Sequence, residues 1–197
     1  MLVGLFGGTF DPIHNGHIQA ANSAQQALKL DKVIMIPAGD PYLKRGKLTA
    51  SKADRYNMVS LAIEESPFLD VSDIEILRPG PSYTVDSVRH FKKEGHTVVV
   101  LLGTDSIIEM DNWNDPNTLH LECEVVGLTR PGIKNDRSEA YLERQERYSI
   151  RTIEANSSLI SSSEIRELIQ KGVDVKDMVP QLVYEYIQKK KLYHLLT

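Results

Sequence analysis

Leu2-Val-Gly-Leu-Phe-Gly-Gly-Thr-Phe-Asp-Pro-Ile-His-Asn-Gly-His17 is the stretch that decides the fold. Leu2 to Phe6 has the composition of a buried strand. The run ends in Gly7 and Gly8, where a backbone without Cβ atoms can turn sharply and approach a ligand. After the polar turn Thr9-Phe10-Asp11-Pro12, His14 and His17 stand three residues apart at the start of a helical segment. That spacing puts two imidazoles on one face of a helix, at the end where unpaired N–H groups and the macrodipole favour anions. A strand, a glycine turn and a helix in this order suit a phosphate.

The glycines do not follow either common phosphate pattern. A P-loop needs G-x-x-x-x-G-K-[ST], and no Lys follows them; G-x-G-x-x-G needs spaced glycines, and these are adjacent. Two histidines at i and i+3 could also ligate zinc. A structural site asks for four ligands and a catalytic one for three, and the lone cysteine, Cys123, is far from the pair in sequence. No metal site is therefore expected on the protein.

Outward from this stretch, apolar runs alternate with helical segments. Strands are expected at Leu2–Phe6, Lys32–Ile36, Asp70–Ile76, Thr97–Leu102 and Cys123–Leu128. Helices are expected at 15–29, 51–66, 84–94, 161–171 and 180–190, the second opened by Ser51 with Asp54 three residues on. The alternation predicts right-handed βαβ units: an α/β, Rossmann-like, doubly wound parallel sheet with C-terminal helices. Ligands of such sheets bind beyond the strand carboxyl ends at the switch point, so the turns at Gly7-Gly8 and Gly103-Thr-Asp105 should lie together. No linker, repeat or low-complexity run divides residues 1–197, which read as a single domain. The charged stretch Lys134–Arg151 reads as a solvated helix or loop without a chemical role.

Composition narrows the classes. A chain of 197 residues can bury about 70% of its unfolded surface without staples. One cysteine excludes an internal disulfide framework. A formal net charge of −4 argues against a general nucleic-acid binder, so local groups must meet an anionic substrate. No apolar run is long enough to span a bilayer and no leader pattern is visible, so the cytoplasm is expected and no membrane partner.

Three further stretches bear on chemistry. In Ile160-Ser-Ser-Ser-Glu-Ile-Arg166, Ser161 or Ser162 can cap a helix, and Arg166 can fork onto phosphate. In Gly80-Pro-Ser-Tyr-Thr-Val-Asp86, Ser82 or Thr84 can cap the next helix, whose first N–H groups suit a carboxylate. In Gly103-Thr-Asp-Ser-Ile-Ile-Glu-Met-Asp-Asn-Trp113, Asp105 follows a strand, and the single Trp offers an indole for a flat cationic ring.

Together these stretches resemble the bacterial nicotinate-mononucleotide adenylyltransferases of the nucleotidylyltransferase superfamily with the (T/H)xGH motif. Gly7–His17 is similar to the superfamily signature, Ile160–Arg166 to its ISSTxIR motif with Ser163 in place of Thr, and Gly80–Asp86 to a GPSYTxDT segment. The resemblance implies that AMP is transferred from ATP to nicotinate mononucleotide. It implies an ATP site of Gly7, Gly8, Thr9, Phe10, His14, His17, Gly103, Asp105, Ile160, Ser161, Ser162, Ser163 and Arg166. It implies a mononucleotide site of Lys44, Tyr83, Thr84 and Trp113, with His17, His14, Lys44 and Arg166 as the catalytic set. Mg2+ would come with ATP, with Asp11 and Asp105 as the nearest carboxylates, and the family often forms homodimers. The likeness runs to the Leu192-Tyr193 tail and thins between 133 and 155. Asp40-Pro-Tyr-Leu-Lys44 departs from it: the family's Pro-Pro-His-Lys keeps its Lys as Lys44, but Leu43 replaces the His. Arg45 and Lys47 stand beside Lys44, and Arg55 matches a basic position of the family's next helix. Two other readings are a nucleotide-binding regulator without turnover and an enzyme that prefers nicotinamide mononucleotide.

Overall fold

The computed structural model describes residues 1–44, 49–129, 138–156, 158 and 160–194. Six parallel strands form one sheet in the order β3-β2-β1-β4-β5-β6. They are β1 (Leu2–Gly8), β2 (Lys32–Pro37), β3 (Leu69–Val71), β4 (Thr97–Gly103), β5 (Glu124–Thr129) and β6 (Arg151–Glu154). The chain runs outward from β1 to β3, returns beside β1 as β4, and runs outward the other way. The order therefore reverses between β1 and β4, which is the switch point of a doubly wound sheet. Leu2 pairs with Thr97 and Leu5 with Val100, so β1 and β4 run in register, and Gly7 and Gly103 leave the sheet at the same edge.

The helices are α1 (Asn15–Leu28), α2 (Lys52–Ala62), α3 (Ile74–Leu77), α4 (Thr84–Lys93), α5 (Thr104–Ile108), α6 (Pro116–Glu122), α7 (Glu139–Arg147), α8 (Ser162–Gln170) and α9 (Gln181–Lys190). Helix α2 begins as expected: Ser51 Oγ accepts from Asp54 N at 3.1 Å. The span 70–76 does not form a strand throughout. β3 stops at Val71, and Ser72 Oγ accepts from Ile74 N at 3.3 Å as the chain turns into α3. A hydroxyl two residues back offers the backbone a turn in place of a ladder.

Two compact units make up the chain. The first holds Met1–Gly7, Ala20–Ile34 and Tyr83–Asn156; the second holds Gly8–Gln19, Met35–Ser82 and Ser157–Thr197. In the first, Val98 to Leu102 of β4 and Val125, Val126 and Leu128 of β5 are buried with Ile107, Met110 and Tyr141. These near-continuous apolar runs are the mark of strands covered on both faces. In the second, Phe10, Ile13, Met58, Val59, Ile165, Val183, Ile187 and Tyr193 are buried. There α9 is tied to α2 by Tyr186, whose hydroxyl donates to Asp54 Oδ1 at 2.8 Å and accepts from Asn57 Nδ2 at 3.1 Å.

Candidate active site

The turn that follows β1 lies in the second unit. Phe10 sits there at φ 50°, in the left-handed region that few side chains adopt, with its ring buried. The ring meets His17 edge-on, centroids 5.0 Å apart. His14 precedes α1, and its carbonyl accepts from His17 N at 3.0 Å. The His14 and His17 rings stack at 3.7 Å, 28° from parallel, so the pair expected from spacing does share a face. His17 Nδ1 accepts from His14 N at 3.3 Å, which leaves the proton of a neutral His17 ring on Nε2.

His14 is almost fully buried, and burial pushes its pKa down to about 4. It is a neutral imidazole at pH 7. Its Nδ1 has no partner among the described residues. Nor has the Oγ of Ser158, which stands nearby: a Cβ added at Gly16 would lie 3.1 Å from His14 Nδ1 and from both O and Oγ of Ser158. Gly16 is what lets Ser158 come this close. Ser158 lies outside every sequence motif, so sequence reading did not place it beside His14. Ser158 N donates to Gln19 Oε1 at 2.7 Å, so the segment before α8 is fastened along α1.

Helix α8 brings the second motif to the first. Ser161 caps it, accepting from Glu164 N at 3.1 Å. Ser162 Oγ donates to the Pro12 carbonyl at 2.9 Å. Arg166 donates from Nη1 to the Asp11 carbonyl at 2.7 Å and from Nη2 to Ser163 Oγ at 3.2 Å. A guanidinium carries five N–H donors, and these bonds engage two of them. One unit thus gathers Gly8, Thr9, Phe10, His14, His17, Ile160, Ser161, Ser162, Ser163 and Arg166.

Asp11 has a different role from that of a metal ligand. Its buried carboxylate accepts from Thr49 N at 2.9 Å, Ala50 N at 3.1 Å and the Tyr193 hydroxyl at 2.8 Å. Arg55, the basic position of α2, does not stand at the surface. It is fully buried, and donates from Nη1 to Thr9 O at 2.7 Å and from Nη2 to Ala38 O at 2.6 Å. Burial lowers its pKa, and the nearby Asp11 opposes that shift. Among the described residues no group of three or more His, Cys, Asp or Glu could hold a metal ion.

The first unit holds Gly7, Tyr83, Thr84, Gly103, Asp105 and Trp113. Neither Ser82 nor Thr84 caps α4. The N-cap is Tyr83 without a side-chain cap bond, and Ser82 Oγ, in the second unit, instead accepts from Gly39 N at 2.9 Å and Asp40 N at 3.2 Å. Gly39 leaves no room for a side chain, since a Cβ there would meet the Glu75 carbonyl. Asp105 is exposed in the first turn of α5. Trp113 is half-buried and ends a short 3-10 turn, Met110–Asn112. Two residues before it, Asp111 accepts from Tyr148 Oη at 2.7 Å, Arg144 Nη2 at 2.7 Å and Arg147 Nη1 at 3.1 Å. Those partners hold its carboxyl below the usual range. The charged stretch, read as a solvated helix or loop without a chemical role, contains a helix, α7, whose arginines bind Asp111 in the segment leading to Trp113. Lys44 ends the turn Tyr42–Lys44; its side chain lies outside the described residues, as do Arg45 and Lys47.

Comparison with known proteins bears on this arrangement. A family model described as cytidylyltransferase-like matches residues 5–168. A Clostridium tetani protein named "Probable nicotinate-nucleotide adenylyltransferase" is 37% identical over 194 residues, covering 96% of this chain and 97% of its own. A Moorella thermoacetica protein of the same name is 40% identical over 197 residues, covering 97% and 91%. The chain belongs to the nicotinate-nucleotide adenylyltransferases. The fold of this family member agrees with that of Plasmodium falciparum nicotinic acid mononucleotide adenylyltransferase complexed with NaAD. The TM-score is 0.77 at 23% identity, over 97% of this chain and 96% of that one. The same protein complexed with APC superposes with a TM-score of 0.73.

Proposed function

We propose that the chain transfers AMP from ATP to nicotinate mononucleotide, giving deamido-NAD and pyrophosphate, with residues 1–197 acting as one nucleotidylyltransferase domain. The observation that carries this is the joining of the stacked His14–His17 pair to the Ser161–Arg166 helix start through Pro12 and Asp11. The attacking group is the mononucleotide phosphate, already ionised near pH 7, so no strong base is required. Its oxygen displaces pyrophosphate in line at the ATP α-phosphorus. Catalysis reduces to positioning and to neutralising charge.

In this reading His17 donates from Nε2 to the reacting phosphates, and neutral His14 donates a single N–H. Arg166 and the Ser161–Ser163 hydroxyls hold the triphosphate. Gly7, Gly8, Thr9, Phe10, Ile160, Gly103 and Asp105 complete the ATP site. Lys44 holds the nucleophilic phosphate as a point charge. The first N–H groups of α4, at Tyr83 and Thr84, take the pyridine carboxylate, and the Trp113 indole stacks on the ring. Mg2+ carried on the ATP oxygens supplies further charge neutralisation when bound. Asp11 is engaged by protein donors, so Asp105 is the remaining carboxylate that could hold the ion.

Among the described residues no helix is long and apolar enough to cross a membrane. The reading puts the enzyme in the cytoplasm, without nucleic acid or membrane partners; a homodimer is implied only by the resemblance to a family that often forms one. The test is pyrophosphate release from ATP with each mononucleotide. A carboxylate gains charge-assisted bonds that an amide lacks, so kcat/KM should favour nicotinate over nicotinamide mononucleotide by about 10- to 150-fold. Equal values would discard the carboxylate site and implicate Leu43, which stands exposed where the family's His would be. No release with either would discard the enzyme reading in favour of a regulator.

A further inference from the structure

We propose that Tyr193 is a positioning residue for the ATP site, acting through Asp11; this rests on the reading of the His14–Arg166 cluster as that site. Beyond α9 the chain turns twice through the left-handed region, at Lys191 (φ 51°) and Tyr193 (φ 69°). The turns carry the Tyr193 ring into the core, where it is 4% exposed and its hydroxyl lies 4.0 Å from Met58 Sδ. That hydroxyl donates to Asp11 Oδ1 at 2.8 Å. A core tyrosine needs one partner for its hydroxyl, and any carbonyl would serve. This one meets the residue on which the nucleotide turn is keyed.

Asp11 and Pro12 are gripped from both ends. Their carbonyls accept from Arg166 and from Ser162, and the Asp11 carboxylate accepts from Thr49 N, Ala50 N and Tyr193. His14 follows Pro12 by two residues. The orientation of the Asp11 side chain and that of the peptide groups held by Arg166 and Ser162 are therefore coupled. Without the Tyr193 hydroxyl, Oδ1 keeps, among the described residues, the Ala50 N–H, the longest of the three bonds. The carboxylate can then rotate towards the buried Arg55 and carry the turn with it. Catalytic geometry tolerates little displacement, since a misplacement of about 1 Å can cost up to about 100-fold in rate.

The experiment compares Tyr193→Phe with Tyr186→Phe in the full chain. Both remove one hydroxyl bound to an aspartate near the α2–α9 contact, but Tyr186 donates to Asp54 of α2 rather than to Asp11 of the turn. Steady-state kinetics with ATP and nicotinate mononucleotide, each varied separately, are read beside thermal midpoints. Tyr193→Phe should lower kcat/KM for ATP about five- to thirty-fold, with KM for the mononucleotide within about twofold. Tyr186→Phe should leave both within about twofold, whatever stability it loses. ATP should also slow hydrogen exchange at the Thr49 and Ala50 amides in the wild type and not in Tyr193→Phe. An unchanged kcat/KM for ATP in Tyr193→Phe overturns the proposal. So does a loss shared by both variants in proportion to their thermal midpoints, or one spread equally over both substrates. A wild type without turnover of ATP and either mononucleotide overturns the proposed function and this inference with it, an outcome distinct from an active wild type with an unimpaired Tyr193→Phe.

Discussion

Acidification should destabilise this protein through His14, in a window that the structure sets. The imidazole is held neutral by burial, with a pKa of about 4 against 6.5 in the unfolded chain. Between those values the unfolded state binds a proton that the native state refuses, so stability is present above the window and falls as pH drops through it. Going from pH 7 to pH 5 should cost about 2 kcal/mol at this one position, and the full shift is worth about 3 kcal/mol below pH 4. For a chain of 197 residues the pH 5 loss corresponds to a fall in Tm of about 4–8 °C. Other groups titrate over the same range, so the quantity to measure is a difference. Denaturant melts of wild type and His14→Gln at pH 7 and pH 5 give it directly. The wild type should lose about 2 kcal/mol more than the variant over that interval, whatever their stabilities at pH 7. Parallel losses would refute the reasoning, as would a His14 ring resonance titrating near 6.5 in the folded protein.

The remaining expectations concern the same cluster. His17→Ala should lower kcat by about 100- to 1000-fold, with circular dichroism unchanged; retention of more than half of the wild-type kcat would remove His17 from the reaction. Arg166→Lys should weaken ATP binding in a direct titration, because an ammonium cannot hold the Asp11 carbonyl and Ser163 while forking onto phosphate; unchanged ATP affinity would contradict the role. Arg55→Met should destabilise by about 3 kcal/mol or more in urea melts, since it strands the Thr9 and Ala38 carbonyls and leaves Asp11 without its buried counter-charge; a cost under about 1 kcal/mol would show that water replaces the guanidinium.

Much of this fold is legible in the sequence where apolar runs are long and bounded by glycine or proline. β1, β2, β4 and β5 were readable in that way, and so was α2 from its Ser51 cap. The edges were not. β6 is a short strand of Arg, Thr, Ile and Glu that pairs with β5, and an edge strand of this composition carries no hydrophobic signal. The alternation over 70–76 fitted a strand, but a window so short cannot separate a strand from a turn of helix. The site divided similarly. The His14–His17 pair and the Ser161–Arg166 start follow from local spacing. The work of Asp11, Arg55, Ser158 and Tyr193 does not, because each acts on residues far away in the chain. Asp111 was hidden for the same reason, its partners lying 33 and more residues downstream in a stretch that reads as solvent-facing.

The bonds that hold the nucleotide turn also bear on how the protein is assembled. Ser162 to Pro12 spans 150 residues, Arg166 to Asp11 spans 155, and Tyr193 to Asp11 spans 182. Helices and short loops form within microseconds, whereas contacts across such separations must wait for the chain between them to be ordered. The turn is therefore among the last parts to acquire its native geometry. A refolding chain should regain its far-ultraviolet circular dichroism before it regains affinity for ATP, and nucleotide present during refolding should act on the final step rather than on collapse.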